Sequence, residues 1–410
     1  MKAESAVTNI KYRWVILVVC WLAYIVAYMQ RLGIGPLAPF LKEELNLTGA
    51  QVGLFMSAAA LGYGITAIPA GWLVDRIGVR WLLLIGETLG GIFLAGMFMT
   101  TTFAQGLVFM AMAGMGMGCV SPATTKAVID WFPVKERATA MGFKQTAVNM
   151  GGIVTALTLP TVALALGWRY GFLGIGFIAV VIGIVSFLLY KQPERGVKPG
   201  SSKPVAITTS RPSVREVLGC RDIWLVMFTA MLMCVVEFSA ITYFVLYLEE
   251  SLLFTVVTAG FFLAILESGG AFGKPLSGLA SDRIFRGSRK KVYILMCGVT
   301  AAMCMIFSLF PQGVASWLII LVGFILGFVG AGWGGIHLTL LGEFAGKELV
   351  GIVTGLGVVV LIIGHIIGPP IFGHIIDTTG SYRIAWQFLT VLAMLGVVLL
   401  VFVREGKRRI

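Results

Sequence analysis

The chain has 410 residues, of which 58% are hydrophobic and only 12% charged, with a mean hydropathy of +0.94 and a formal net charge of +12; ordinary soluble domains are roughly a quarter charged. An apolar excess spread over the whole length excludes a water-soluble enzyme and makes the bilayer the solvent. The positive balance would also suit a nucleic-acid binder, but Lys and Arg of membrane proteins collect in cytoplasmic loops, and no module of interleaved basic and aromatic residues supports that alternative.

Residues 1–13 are short and mildly basic, and the apolar run after them has no small-residue cleavage site, so it reads as a first span and not as a removable signal. Crossing an apolar core of about 30 Å takes about 20 helical residues. Apolar runs bounded by Gly, Pro and charge predict twelve spans: 14–40, 50–73, 80–101, 105–131, 138–164, 168–190, 222–248, 256–281, 291–311, 314–342, 348–374 and 382–403. Short connections make neighbours antiparallel, which puts both termini on one side. With a cytoplasmic N-terminus, 24 Lys and Arg fall inside and three outside (Lys42, Arg169, Arg383), while four lie within spans (Arg31, Lys126, Lys144, Lys274). This bias places both termini in the cytoplasm of a multi-pass plasma-membrane protein.

The longest hydrophilic stretch, with Pro193, Pro199, Pro204 and Pro212 around a Ser/Thr-rich middle, divides the chain into a six-helix bundle over 1–190, a linker over 191–221 and a second six-helix bundle over 222–410. Five of six cysteines sit in apolar runs without paired spacing, and no disulfide is expected. Three scattered histidines make no metal-ligand spacing, and no cofactor motif, Walker loop or nucleophile elbow is present.

The two halves repeat each other. Gly71-Trp-Leu-Val-Asp75-Arg76-Ile-Gly78-Val-Arg80 follows span two, and Gly278-Leu-Ala-Ser-Asp282-Arg283-Ile-Phe-Arg286-Gly287 follows span eight. Gly167-Trp168-Arg169 before span six has its counterpart in Gly380-Ser-Tyr382-Arg383 before span twelve. The repeated Gly-x-x-x-Asp-Arg-x-Gly loop, the twelve spans and the basic mid-chain linker resemble the major facilitator superfamily over essentially the whole chain. That resemblance implies an all-α fold of two pseudo-symmetric six-helix bundles and a secondary carrier, not an enzyme. It also makes Gly71, Asp75, Arg76, Gly78, Arg80, Asp282 and Arg283 gating residues, their glycines letting helix ends approach closely.

A narrower resemblance rests on Ala27-Tyr28-Met29-Gln30-Arg31, similar to the Asn-Tyr-x-Asp-Arg signature of the anion:cation symporter family. It rests also on Lys126, five positions before Trp131-Phe132-Pro133-Val-Lys135-Glu136-Arg137-Ala138, which looks like that family's Trp-Phe-Pro-x-x-Glu-Arg-Ala. The resemblance implies carriage of organic anions such as sugar acids with protons. Two departures qualify it: the acid before Arg31 is Gln30, so that proton site does not carry over, and the span-four cation is lysine where the family has arginine.

Ionisable groups within spans are costly and mark cavities or partners. Tyr24, Tyr28, Arg31 and Gly35 share a helix face, so a cation and two hydroxyls form a stripe, with a glycine leaving room for an anion. Lys126, Lys144 and Asn149 are further binding candidates, as is His337 in the glycine-rich tenth span. Glu237 and Glu267 are the proton-coupling candidates, with Lys274 on the same face as Glu267. Glu87, in span three, is given no role, a place near the membrane surface being open to it. The expected function is proton symport of a small organic anion by a monomer embedded in lipid. Open alternatives are an anion exchanger, an efflux pump for hydrophobic compounds and a transporter-like receptor.

Overall fold

A backbone immersed in hydrocarbon has no partner but itself, and the helix satisfies every N–H and C=O between its end turns internally. A computed structural model of the chain describes residues 2–192 and 219–404; among them there is no strand, and helix runs almost throughout. Twelve helices among the described residues are long and apolar enough to span a membrane: α1 (Tyr12–Glu44), α2 (Gly49–Ile77), α3 (Val79–Met99), α4 (Phe103–Trp131), α5 (Thr139–Leu166), α6 (Trp168–Leu189), α7 (Arg221–Ser251), α8 (Val256–Arg283), α9 (Arg289–Leu309), α10 (Ser316–Ala345), α11 (Ile352–Thr379) and α12 (Tyr382–Val401). The linker expected over 191–221 lies outside the described residues except at its ends.

Helix limits depart from expectation where the chain bends. In α1, Gly33 separates two helical pieces, Lys2–Leu32 and Ile34–Glu44. A π-helical turn, Tyr247–Ser251, ends α7. The tenth span is interrupted at 331–333, after which helical residues continue from Gly334 to Thr379. The polarity is inverted relative to a soluble protein: Ile68, Phe177 and Trp317 are exposed, whereas Arg31, Glu87, Lys144 and Glu267 are buried.

The chain divides into two compact units, one of Met1–Arg31, Ala58–Gly151 and Arg169–Thr209, the other of Leu32–Ser57, Gly152–Trp168 and Ser210–Ile410. Within the first, α4 approaches two neighbours through glycine. A Cβ on Gly116 would strike the backbone of Gly86 and Gly90 on α3, and one on Gly114 that of Ala59 on α2.

The second unit is closed by polar contacts at the start of α2. Oδ1 and Oδ2 of Asp377 accept the N–H groups of Gly49 (2.6 Å) and Ala50 (2.8 Å), so a carboxylate from α11 satisfies orphan donors of the α2 N-terminus and sits at its positive end. The Tyr243 hydroxyl lies 2.6 Å from Gly49 O and 2.9 Å from Pro369 O and donates between them. Ser57 Oγ donates to Ile366 O at 2.5 Å.

The internal repeat extends into these contacts. Trp168 Nε1 donates to Glu44 Oε2 at 2.5 Å, and the Tyr382 hydroxyl donates to Glu250 Oε2 at 2.8 Å. In each half, then, the aromatic residue opening the last helix binds a glutamate ending the first. Lys42 Nζ, 2.6 Å from Glu250 Oε1, adds an ion pair to the second copy.

Candidate functional site

The stripe on α1 meets hydroxyl-bearing turns of α4 and a lysine of α5, all within the first unit. Thr124 and Thr125 donate their own protons to carbonyls one turn back, Val120 O (2.9 Å) and Ser121 O (2.9 Å). Their lone pairs are thereby left to accept from Lys144 Nζ, at 3.4 and 3.0 Å. On its other side the ammonium lies 4.3 Å from the Tyr24 ring centroid.

Tyr24 and Tyr28 pack edge to face at 5.0 Å, and the charge of Arg31 reaches the Tyr28 hydroxyl. Tyr63 on α2 directs its hydroxyl to Ser121 Oγ at 3.5 Å. Arg31 is 2% and Lys144 3% exposed, and Asn149 is buried further along α5. Among the described residues Lys144 touches hydroxyls and a ring but no carboxylate, so its charge is met by dipoles alone and leaves room for an arriving anion.

Two members of the expected site stand apart. Lys126 Nζ is 3.0 Å from Asp75 Oδ1 and 3.6 Å from Asp130 Oδ1, so its long stem carries the charge to the last turn of α2. Gly35 lies against α7, where a Cβ would come 2.6 Å from Ile241 O; its missing side chain serves helix packing and does not make ligand space.

In the repeated loop, Arg76 stacks 3.6 Å from the Trp72 ring centroid, and Arg80 Nε donates to Phe187 O at 2.5 Å. Among the described residues nothing lies within 4 Å of a Cβ built on Gly71 or Gly278, so neither makes a close helix contact in this structure. Gly78 (φ +85°) and Gly287 (φ +84°) make the left-handed turns that require glycine. Two residues past each comes an arginine, Arg80 or Arg289. Asp282 pairs with Arg289 at 2.6 Å, and Arg289 reaches Glu343 at 3.4 Å, whereas Arg283 is exposed.

The second unit holds the remaining candidates. Trp333 Nε1, at the interruption in α10, donates to Glu237 Oε2 at 3.2 Å beside a cavity of about 10 Å³, room for about one water. Lys274 feels the charges of both Glu237 and Glu267. Glu267 is buried, with its carboxyl against Gly152 of α5, where a Cβ would lie 2.5 Å from Cδ. His337 packs beside Tyr293 and Trp333, and neither ring nitrogen has a hydrogen-bond partner among the described residues.

The model of the Major Facilitator Superfamily matches residues 20–369. The chain belongs to that superfamily. It is 28% identical to a probable sulfoacetate transporter of Cupriavidus necator, covering 95% of this chain and 93% of that protein. It is also 28% identical to a probable L-galactonate transporter of Escherichia coli, covering 88% of this chain and 83% of that one. A crystal structure of a bacterial homologue of the human lysosomal transporter Spinster superposes with a TM-score of 0.80 at 18% identity, covering 96% and 97% of the two chains. The fold is the all-α major facilitator fold, and the protein is a multi-pass membrane transporter, not an enzyme.

Within this transporter, sequence reasoning missed Tyr63, Ser121, Thr124, Thr125, Arg289 and Glu343. Ser121, Thr124 and Thr125 stand three and four apart on one face of an otherwise apolar span, a signal available beforehand. Glu87, given no role from the sequence, is fully buried and accepts from Gln30 Nε2 at 3.2 Å.

Proposed function

We propose that this transporter carries a small organic anion, a carboxylate or sugar acid, by proton symport with alternating access across the plasma membrane, both termini being cytoplasmic. The observation that carries the reading is the Lys144 ammonium, buried against two threonine hydroxyls and the ring of Tyr24, which packs on Tyr28 one turn before the buried Arg31. Such a site has positive charge for an acid group and hydroxyls for a polyol or a second oxygen, and it repels lipophilic cations. The cargoes named for the two relatives, sulfoacetate and L-galactonate, fit that chemistry.

In this reading Arg31 and Lys144 bind the charge, and Tyr24, Tyr28 and Asn149 bind hydroxyl or carboxylate oxygens. His337, with two open nitrogens, is the cargo-binding candidate of the second half. Glu237 and Glu267 exchange protons against Lys274. The halves 1–190 and 222–410 rock as bundles, and the Asp75–Lys126 and Asp282–Arg289–Glu343 contacts break and re-form as gates. Anion exchange is the second reading, favoured by Lys274 sharing the second unit with both acids as a counter-charge.

Proteoliposomes with an inward pH gradient decide between the two. Symport predicts accumulation of a sugar acid that collapses with the gradient. Exchange predicts uptake only against a preloaded anion, unaffected by the gradient. Arg31→Ala is expected to abolish either activity, because truncating one partner of a buried charge pair costs about 2–5 kcal/mol; wild-type affinity in that variant would remove Arg31 from the site.

A further inference from the structure

The first unit carries a groove that the transport cycle does not use. It lies between α1 and α6 and has a volume of about 380 Å³. Short side chains make it: Val19 and Ser186, both buried, form the floor, and Val18, exposed, belongs to the α1 wall. From Trp14 to Leu22 the groove runs about 12 Å along α1. That is most of the depth of one leaflet, half of a hydrocarbon core about 30 Å thick. A trough of this length, lined by apolar side chains and parallel to the helices, has the shape of an extended acyl chain.

Two polar features set it apart from ordinary lipid-facing surface. At the end flanked by Trp14 and Leu189, the Tyr12 hydroxyl donates to Leu189 O at 2.5 Å and ties the two helices together. Lys191 Nζ lies beside that tie, 4.9 Å from the Tyr12 ring centroid; it is exposed and has no carboxylate partner among the described residues. The neighbouring Arg13 already has its acid, Glu136 at 3.0 Å, so Lys191 gives the mouth of the groove a net positive charge. Deeper in, about 5 Å before the end of α6, Ser186 Oγ is buried without a hydrogen-bond partner among the described residues. A helical serine ordinarily donates one turn back, as Ser268 does to Ala264 O at 2.7 Å. A buried hydroxyl withheld from that bond calls for an acceptor from outside the chain.

We propose that the groove between α1 and α6 binds one chain of an anionic phospholipid, with the phosphate on Lys191 and an ester carbonyl accepting from Ser186 Oγ. Trp14 then stands at the headgroup level, where its amphipathic ring is at home. A phospholipid presents charge, ester and hydrocarbon in the order in which the groove presents cation, hydroxyl and apolar trough. Inorganic phosphate offers only the first and a hydrocarbon only the last. The cytoplasmic termini proposed above put the groove in the inner leaflet, whose anionic lipids attract juxtamembrane cations. Lipid held there joins the start of α1 to the end of α6. Neither the cargo nor its coupling enters this inference.

Native mass spectrometry of the delipidated full chain in detergent tests it, with phosphatidylglycerol and phosphatidylcholine of the same chain length as probes. One phosphatidylglycerol is expected to bind about fivefold more tightly than phosphatidylcholine. Lys191→Gln is expected to erase that preference, and Val18→Trp, which fills the trough, to weaken both lipids; both positions are exposed, so folding is not at stake. A diether phosphatidylglycerol keeps charge and chains but lacks the ester carbonyls. It is expected to bind wild type about 2- to 12-fold more weakly than the ester form, and Ser186→Ala to bind the two alike. A headgroup preference that survives Lys191→Gln, or lipid binding undiminished in Val18→Trp, would overturn the inference. Equal binding of ester and ether forms by wild type would overturn it as well. The same spectra report oligomeric state: a dimer that Val18→Trp dissociates, with lipid binding unchanged, would assign the groove to a second copy instead.

Discussion

Lys144→Met is expected to abolish anion binding while leaving the empty protein as stable as wild type or more so. Most binding-site substitutions do not separate these two effects; this one does, because of what surrounds the ammonium. Lys144 is 3% exposed and reaches two threonine hydroxyls and the Tyr24 ring. Dipoles of that kind do not repay the desolvation of a full charge, and replacing buried ionic groups by apolar side chains of similar volume is often neutral or stabilising by about 1–4 kcal/mol. Methionine keeps the unbranched shape and fills the same space. When cargo is bound, the balance reverses: the ammonium has its counter-charge, and truncation costs about 2–5 kcal/mol of binding, roughly 30-fold to several thousand-fold in affinity. Thermal unfolding with and without a saturating sugar acid reads both quantities. An anion-dependent rise in melting point that survives in Lys144→Met would contradict the assignment.

Gly53→Val is expected to cut transport by about a hundredfold or more without removing anion binding. A Cβ at position 53 would lie 2.5 Å from Pro369 C and 2.6 Å from both Pro369 O and Pro370 N. All three are backbone atoms at a double proline in α11, so neither side chain rotation nor a small helix adjustment relieves the overlap. The contact is one of a set that draws the start of α2 onto α11: Asp377 on the Gly49 and Ala50 N–H groups, Tyr243 between Gly49 O and Pro369 O, and Ser57 on Ile366 O. If alternating access requires this closure, a valine holds it open, and the cargo binds but does not cross. Asp377→Asn is a graded version. It keeps one acceptor but loses the charge and one bond, a loss of about 1–3 kcal/mol that shifts the closed–open balance by about 5- to 150-fold. Proteoliposome uptake measured alongside ligand-induced thermal shifts separates crossing from binding. Uptake at the wild-type rate by Gly53→Val would show that this contact need not form during the cycle.

The helices are legible in the sequence because each is a long apolar run with punctuation, and the internal repeat because its charged loops stand out against lipid-facing sequence. Less visible is everything set by which face of a helix meets which neighbour. Lys126 reads as an anion-binding candidate within span four, yet its flexible stem ends on Asp75. The partner of Asp282 is hidden because the second loop is two residues longer, so that Arg289, and not Arg283, falls where Arg80 does, two residues past a left-handed glycine. Glu87 and Gln30 are 57 residues apart, and nothing local in either span announces the other. Trp168 and Tyr382 read as a repeat of rim residues, but their glutamate partners, at the far ends of the first helix of each half, emerge only from the packing.

Binding of an organic anion by the Arg31–Lys144 cluster is tested most directly by thermal unfolding of the purified transporter against mono- and dicarboxylates, sugar acids, sulfonates, neutral sugars and lipophilic cations. A ligand that binds only the folded state stabilises it by about 2.7 kcal/mol at a hundred times its Kd. The melting point is expected to rise with small organic anions alone and to stay unchanged with neutral sugars and lipophilic cations. Stabilisation by lipophilic cations, with none by any anion, would contradict anion binding and make the protein an efflux pump.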